Sequence, residues 1–186
     1  MAMTTNDFKT GMTIDLDGDL LTVLEFQHVK PGKGGAFVRT TLRNVRTGSV
    51  VDRRFNAGER IERAFIEKRE QQFLYRDGTD FVVMDNESFE QSTVSETAMA
   101  DAAKFITEGS AVVLLKFGDE VIGTELPASV ELAIMETEPG VQGDRVSGAR
   151  KPATLETGHV VQVPLFVGPD DRIKVDTRTG EYITRA

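Results

Sequence analysis

The chain contains no cysteine among its 186 residues. That excludes a disulfide framework and any thiolate metal site, and it fits a reducing compartment. No apolar run approaches the roughly 20 residues of a membrane span. The N-terminus, Met1-Ala2-Met3-Thr4-Thr5-Asn6-Asp7, lacks the apolar stretch of a secretory signal. A cytoplasmic location without membrane contact is therefore expected. Only two histidines occur, His28 and His159. Both lie in strand-like contexts without a His-x-x-x-His spacing, so no metal site is expected. There is no Gly-x-Ser-x-Gly, and no Gly-x-x-x-x-Gly-Lys-Ser/Thr. Gly32-Lys33 is followed by Gly34 and sits in a hairpin, not before a helix. Nucleotide hydrolysis is thus unsupported, and the sequence offers no catalytic residue and no cofactor site.

What is present describes an ordinary globular chain. Its hydrophobic fraction of 39% and charged fraction of 28% leave enough apolar sequence for two or three small cores. The net charge of -8 argues at first against an anionic partner. Its distribution argues the other way. Residues 1–64 carry a net +2, residues 65–127 a net -8 and residues 128–186 a net -2. Within the first segment, positions 28–63 hold nine bases and three acids. One anion-facing domain carried on two acidic ones is the implied organisation.

The basic segment is built around Phe26 to Asn44. An apolar run leads in, a β-branched and basic run leads out, and Pro31-Gly32-Lys33-Gly34-Gly35 lies between. Proline fixes its own φ, and the three glycines are expected at positive φ, giving a β-hairpin with a tight tip. Lys33 stands at the apex without a bulky neighbour. Upstream, Asp17-Gly18-Asp19 is a turn. Alternation puts Leu20, Leu24 and Phe26 on one strand face, and Leu21 and Val23 on the other. Arg39 and Arg43, four apart, share a face. Arg53 is expected near them on the next strand, making a basic sheet face beside the tip.

Residues 65–127 read as hairpins around an Asp77-Gly78 and a Gly118-Asp119 turn. Ser95 to Glu108 is the best helical stretch, with Ser95 as cap and an apolar stripe of Ala98, Met99, Ala102, Phe105 and Ile106. Residues 128–186 give strands at Val130–Met135, Val160–Val167 and Ile173–Thr177, with a long loop from Glu138 to Pro152. The expected class is mainly β, with small barrels spanning 1–64, 65–127 and 128–186. The last two are of the oligonucleotide/oligosaccharide-binding (OB) kind.

Four blocks in order resemble the bacterial translation elongation factor P family. They are Pro31-Gly32-Lys33-Gly34 with Ala36-Phe37-Val38-Arg39; Tyr75-Arg76-Asp77-Gly78-Thr79-Asp80-Phe81 with Phe89-Glu90-Gln91; Lys151 to Gly158 running into Val163-Pro164; and Ile173 to Tyr182. The resemblance covers the whole length. It implies an SH3-like (KOW-type) first domain and two OB-folds in an L-shape. It further implies binding to the ribosome, both subunits, between the peptidyl and exit tRNA sites, and relief of stalls at consecutive prolines. A monomer and a non-enzymatic factor are expected.

The residue roles follow from that resemblance together with the basic face. Lys33, flanked by Pro31, Gly32, Gly34 and Gly35, meets the acceptor end of peptidyl-tRNA; family members either extend the equivalent lysine through a modifying enzyme or use it bare, and this loop is compatible with both. Lys30, Arg39, Arg43, Arg53 and Arg54 are candidates for tRNA phosphate contacts. Gly143, Asp144 and Arg145 match the family position that contacts mRNA in the exit site. Arg145 departs from the frequent threonine there, which eases phosphate contact. Tyr182 and Arg185 either face tRNA or ribosomal RNA, or are a core-edge residue and a fraying tail. The acidic second domain is solvated surface or meets a basic exit-site stalk protein. The competing readings are an elongation-factor-P-like paralogue, a structural RNA-binding protein that needs the basic face but not Lys33, and an enzyme with an unrecognised carboxylate site.

Overall fold

Short alternating runs separated by glycine turns give the described residues of this chain sixteen strands and little helix. The computed structural model describes residues 2–140 and 148–186. The first six strands form one sheet: β1 (Ala2–Thr4), β2 (Thr13–Leu16), β3 (Asp19–Val29), β4 (Phe37–Asn44), β5 (Val50–Asn56) and β6 (Arg60–Arg63), in the order β1-β6-β2-β3-β4-β5. Its core gathers Ile14, Leu21, Val23, Val38, Leu42, Phe55 and Ile61 under Phe8, whose ring meets Phe55 edge-on at 5.7 Å.

The second sheet holds β7 (Glu67–Asp77), β8 (Asp80–Asp85), β9 (Gln91–Val94), β10 (Ala111–Phe117) and β11 (Glu120–Glu125), in the order β11-β10-β7-β8-β9. The third holds β12 (Ser129–Thr137), β13 (Arg150–Leu155), β14 (Val160–Pro164), β15 (Arg172–Asp176) and β16 (Tyr182–Arg185), in the order β14-β13-β12-β15-β16. Counted within themselves, both sheets place their strands third, second, first, fourth, fifth. The two halves thus repeat an architecture without repeating a sequence.

By compactness the chain falls into two units, residues 1–68 with 115–123, and residues 69–114 with 124–186. The first unit takes in the turn end of the β10–β11 hairpin. Ile122 is buried with Leu20 and Ala64. Glu120 receives the Arg46 guanidinium at 2.9 Å. In the second unit, the third sheet closes over Leu132, Ile134, Ala153, Leu155, Val161, Val163, Ile173 and Val175, joined by Phe105.

Several local expectations are corrected. Phe26 does not share a face with Leu20 and Leu24. The β3–β4 register shifts between Val23 and Glu25, which reverses the alternation and turns Phe26 inward against Phe8. The helix expected from Ser95 to Glu108 is one α-turn, α1 (Glu96–Met99), followed by a 3₁₀ turn at Ala100–Lys104. Ser95 does cap it, its hydroxyl accepting from the Ala98 N–H at 3.2 Å. The helix stops because Ala100 takes φ 46°, while the Thr124 hydroxyl donates to the carbonyls of Ala98 and Met99 that a longer helix would use. The apolar stripe is still buried at Met99, Ala102, Phe105 and Ile106. Pro152, expected in the loop from Glu138, lies inside β13. Its register with β14 continues there, whereas that with β12 ends at Ala153, so no ladder bond needs a proline N–H.

Candidate nucleic-acid interface

Residues 30–36 join β3 to β4, and all seven are exposed. This is a longer tip than the tight turn expected. Of its glycines only Gly34 has a positive φ, at 109°; Gly32 and Gly35 do not use that freedom. A Cβ at Gly32 or Gly35 would meet nothing within 4 Å. Among the described residues, none forms a hydrogen bond with residues 31–35. The loop backbone and the Lys33 amine are therefore left to whatever the loop meets. Pro31 supplies most of the local rigidity.

Behind the loop, antiparallel partners share a face, so the registers of β3, β4 and β5 stack the outer side chains in rows. Nearest the loop come Val29, Phe37 and Asn56; then Gln27, Arg39 and Arg54; then Glu25, Thr41 and Asp52; then Thr22, Arg43 and Val50. Arg39 thus faces Arg54 and not the expected Arg53. Arg53 lies opposite the buried Thr40, on the other face, and its guanidinium sits 5.8 Å from the Phe55 ring. Arg43 is cut off from Arg39 and Arg54 by the row of Glu25 and Asp52. The Asp52 carboxylate accepts from the Thr41 hydroxyl at 2.8 Å. Lys30 is exposed at the start of the loop. Arg46, counted among the basic residues, is held by Glu120 and by the Gly18 carbonyl, at 2.9 Å each. The Glu120 carboxylate is held below its ordinary value, chiefly by the hydrogen bond from Arg46.

Sequence reasoning missed one residue here. Phe37 carries the Arg54 guanidinium 3.6 Å above its ring centroid, a close cation–π stack at the foot of the loop. In the sequence Phe37 figures only in the motif that follows the lysine loop, with no role at the site. The signal that could have found it was its position: it is the first aromatic after the glycines, on the same outer face as Arg39.

In the third sheet, Tyr182 packs at the edge of the core. Arg185 is in β16, opposite Ile173, with its Nε 3.6 Å from Asp171 Oδ1, so it is neither fraying nor bare. Gly143, Asp144 and Arg145 lie outside the described residues. Lys151 is buried, and its ammonium donates to the Glu138 carbonyl at 2.7 Å. His28 meets Phe26 edge-on, and His159 meets Phe105 in the same way at 5.3 Å. The His159 pKa is lowered by burial first and by Lys104 second. Among the described residues no helix is long and apolar enough to cross a membrane.

Among the described residues, three curled sheets, two of one strand order and one extended into a bare lysine hairpin, define a mainly-β protein of the small-barrel class. Residues 4–61 match the elongation factor P (EF-P) KOW-like domain, residues 66–124 the elongation factor P OB domain, and residues 130–185 the elongation factor P C-terminal domain. The chain belongs to the elongation factor P family. It is 53% identical over 184 residues to elongation factor P of Desulfitobacterium hafniense (strain DSM 10664 / DCB-2), covering 99% of this chain and 100% of that protein. It is 56% identical over 183 residues to that of Acidothermus cellulolyticus, covering 98% of each. Among solved structures, eukaryotic translation initiation factor 5A from Methanococcus jannaschii shares the fold at TM-score 0.54 and 19% identity, over 68% of this chain and 94% of that one. The protein is a translation factor with a ribosome-related role.

Proposed function

We propose that this factor binds the ribosome between the peptidyl and exit tRNA sites and promotes peptide-bond formation at consecutive prolines. The exposed loop that carries Lys33, with no internal hydrogen bonds, is the observation that supports this most. Proline reacts poorly because its ring fixes φ and makes its nitrogen a secondary amine. The reacting groups belong to the ribosome, so a factor assists by orientation. Ordering the CCA end of peptidyl-tRNA recovers part of the entropy that a correct approach requires. Lys33 supplies a cation and three donors to phosphate and ribose there, and it is the atom a modifying enzyme would extend. Gly143, Asp144 and Arg145 contact mRNA in the exit site. The protein works as a cytoplasmic monomer and performs no chemistry of its own.

The test is reconstituted translation of a reporter with three consecutive prolines, beside a proline-free control. Wild-type protein is expected to raise full-length product on the proline reporter alone, and Lys33→Ala to abolish that gain with an unchanged Tm. If unmodified recombinant protein and protein purified from its native host both leave the proline reporter unchanged, stall relief is wrong. If Lys33→Ala works as well as wild type, the loop lysine has no part in it.

A further inference from the structure

Arg39 and Arg54 sit directly opposite each other on β4 and β5. Residues so placed have Cβ atoms about 5 Å apart, and like charges there destabilise a sheet. Among the described residues neither has a carboxylate partner. The adjacent row on that face holds two acids, Glu25 and Asp52, and Asp52 accepts from the Thr41 hydroxyl. The Arg54 guanidinium instead sits over the Phe37 ring, toward the loop and away from Asp52. Stacking fixes the plane of a guanidinium and leaves its edge N–H groups pointing outward in a fork. Facing positions on neighbouring strands let two such forks reach a single tetrahedral dianion or phosphodiester.

We infer that Arg39 and Arg54 form one phosphate clamp at the foot of the Lys33 loop, and that Phe37 is the positioning residue that holds it open. The clamp rests on the reading of this chain as an RNA-facing factor, and it separates the five candidate cations into unequal groups. Arg39 and Arg54 act together on one backbone phosphate of the RNA whose end the loop meets. Arg43 lies beyond the Glu25–Asp52 row, and Arg53 on the other face, so both stay outside it. Without the Phe37 ring, the Arg54 side chain is free to swing along its strand to Asp52. An internal ion pair then closes the clamp.

The test uses the full chain and an RNA minihelix with an acceptor stem and a CCA end, with binding followed by fluorescence anisotropy across a salt series. Arg54→Gln is expected to lower the slope of log K against log salt by about one unit. Phe37→Leu is expected to reproduce most of that loss, Phe37→Tyr to restore wild-type binding, and the Phe37→Leu/Arg54→Gln double variant to bind no worse than Arg54→Gln alone. Arg46→Gln, at a side chain already held by Glu120 and the Gly18 carbonyl, should leave the affinity within about twofold. Without RNA and at low salt, Arg39→Gln should raise Tm by about 1–3 °C by removing the facing charges. Full binding by Phe37→Leu overturns the positioning role. A wild-type protein that shows no salt-dependent binding, or an Arg39→Gln form that binds as well as wild type, overturns the clamp. Stall relief is judged separately, by Lys33→Ala on the proline reporter, so either reading can fail without the other.

Discussion

Two turns of this molecule solve opposite problems. The loop at residues 30–36 joins β3 to β4 with glycines, one proline, one bare lysine and no hydrogen bonds at residues 31–35 among the described residues. The turn after β8 is tied from within. The Asp85 carboxylate accepts from the Glu87 N–H at 2.8 Å, from the Ser88 N–H at 2.9 Å and from the Gln71 amide at 2.8 Å. Its backbone also closes on Phe89 and Glu90. That grip is strong enough to hold Phe89, a residue 69% exposed, at φ 59°, a conformation that bulky residues rarely take. A turn whose polar groups are answered internally can force a poor residue into place. One whose groups are unanswered takes its final shape from what it meets.

The comparison can be broken at Asp85 first. Asp85→Ala releases both turn N–H groups and Gln71, and it is expected to lower Tm clearly in thermal unfolding. Lys33→Ala, in a loop that ties nothing, should leave Tm where it was. Equal losses from the two variants would erase the distinction between the turns.

Acid sharpens the same contrast. The Asp85 pKa lies below its ordinary value of 3.8, chiefly through the Ser88 N–H and next the Glu87 N–H. A carboxylate depressed in the folded state contributes stability that is complete above the unfolded pKa and is lost as pH falls through the folded one. The Tm gap between wild type and Asp85→Asn should therefore be full at neutral pH and close below about pH 4. A gap that persists in acid would mean that the carboxylate charge is not what holds the turn.

The smallest effect has the opposite sign. Phe89→Gly removes a left-handed strain and loses an exposed ring that packs on little. A gain of about 1 kcal/mol in urea unfolding is expected, offset in part by the freedom glycine adds to the unfolded chain. A loss would show that the ring carries a contact that its exposure conceals.

Much of the fold was legible because it rests on local rules. Glycine at 18, 78 and 118 takes positive φ in turns between paired strands, as the sequence order required. The Ser95 cap was read correctly from its residue type. The errors share another origin. The shift at Leu24, the early end of α1 and the strand position of Pro152 depend on partners distant in sequence: β4, Thr124, and the point where β12 pairing stops. The site divided in the same way. Lys33 and its glycines were visible, because a loop announces itself by composition. The grouping of the arginines was not, because facing pairs are set by register between strands.

The sequence by itself determined the class of fold, the family and the lysine loop, since alternation, turn residues and motif order act over a few positions at a time. Only the tertiary structure decided that Arg39 meets Arg54 while Arg53 turns away, that Arg46 is taken by Glu120, and that Phe37 holds a guanidinium against its ring. Strand register couples residues through space, and a shift of one position moves a side chain to the opposite face.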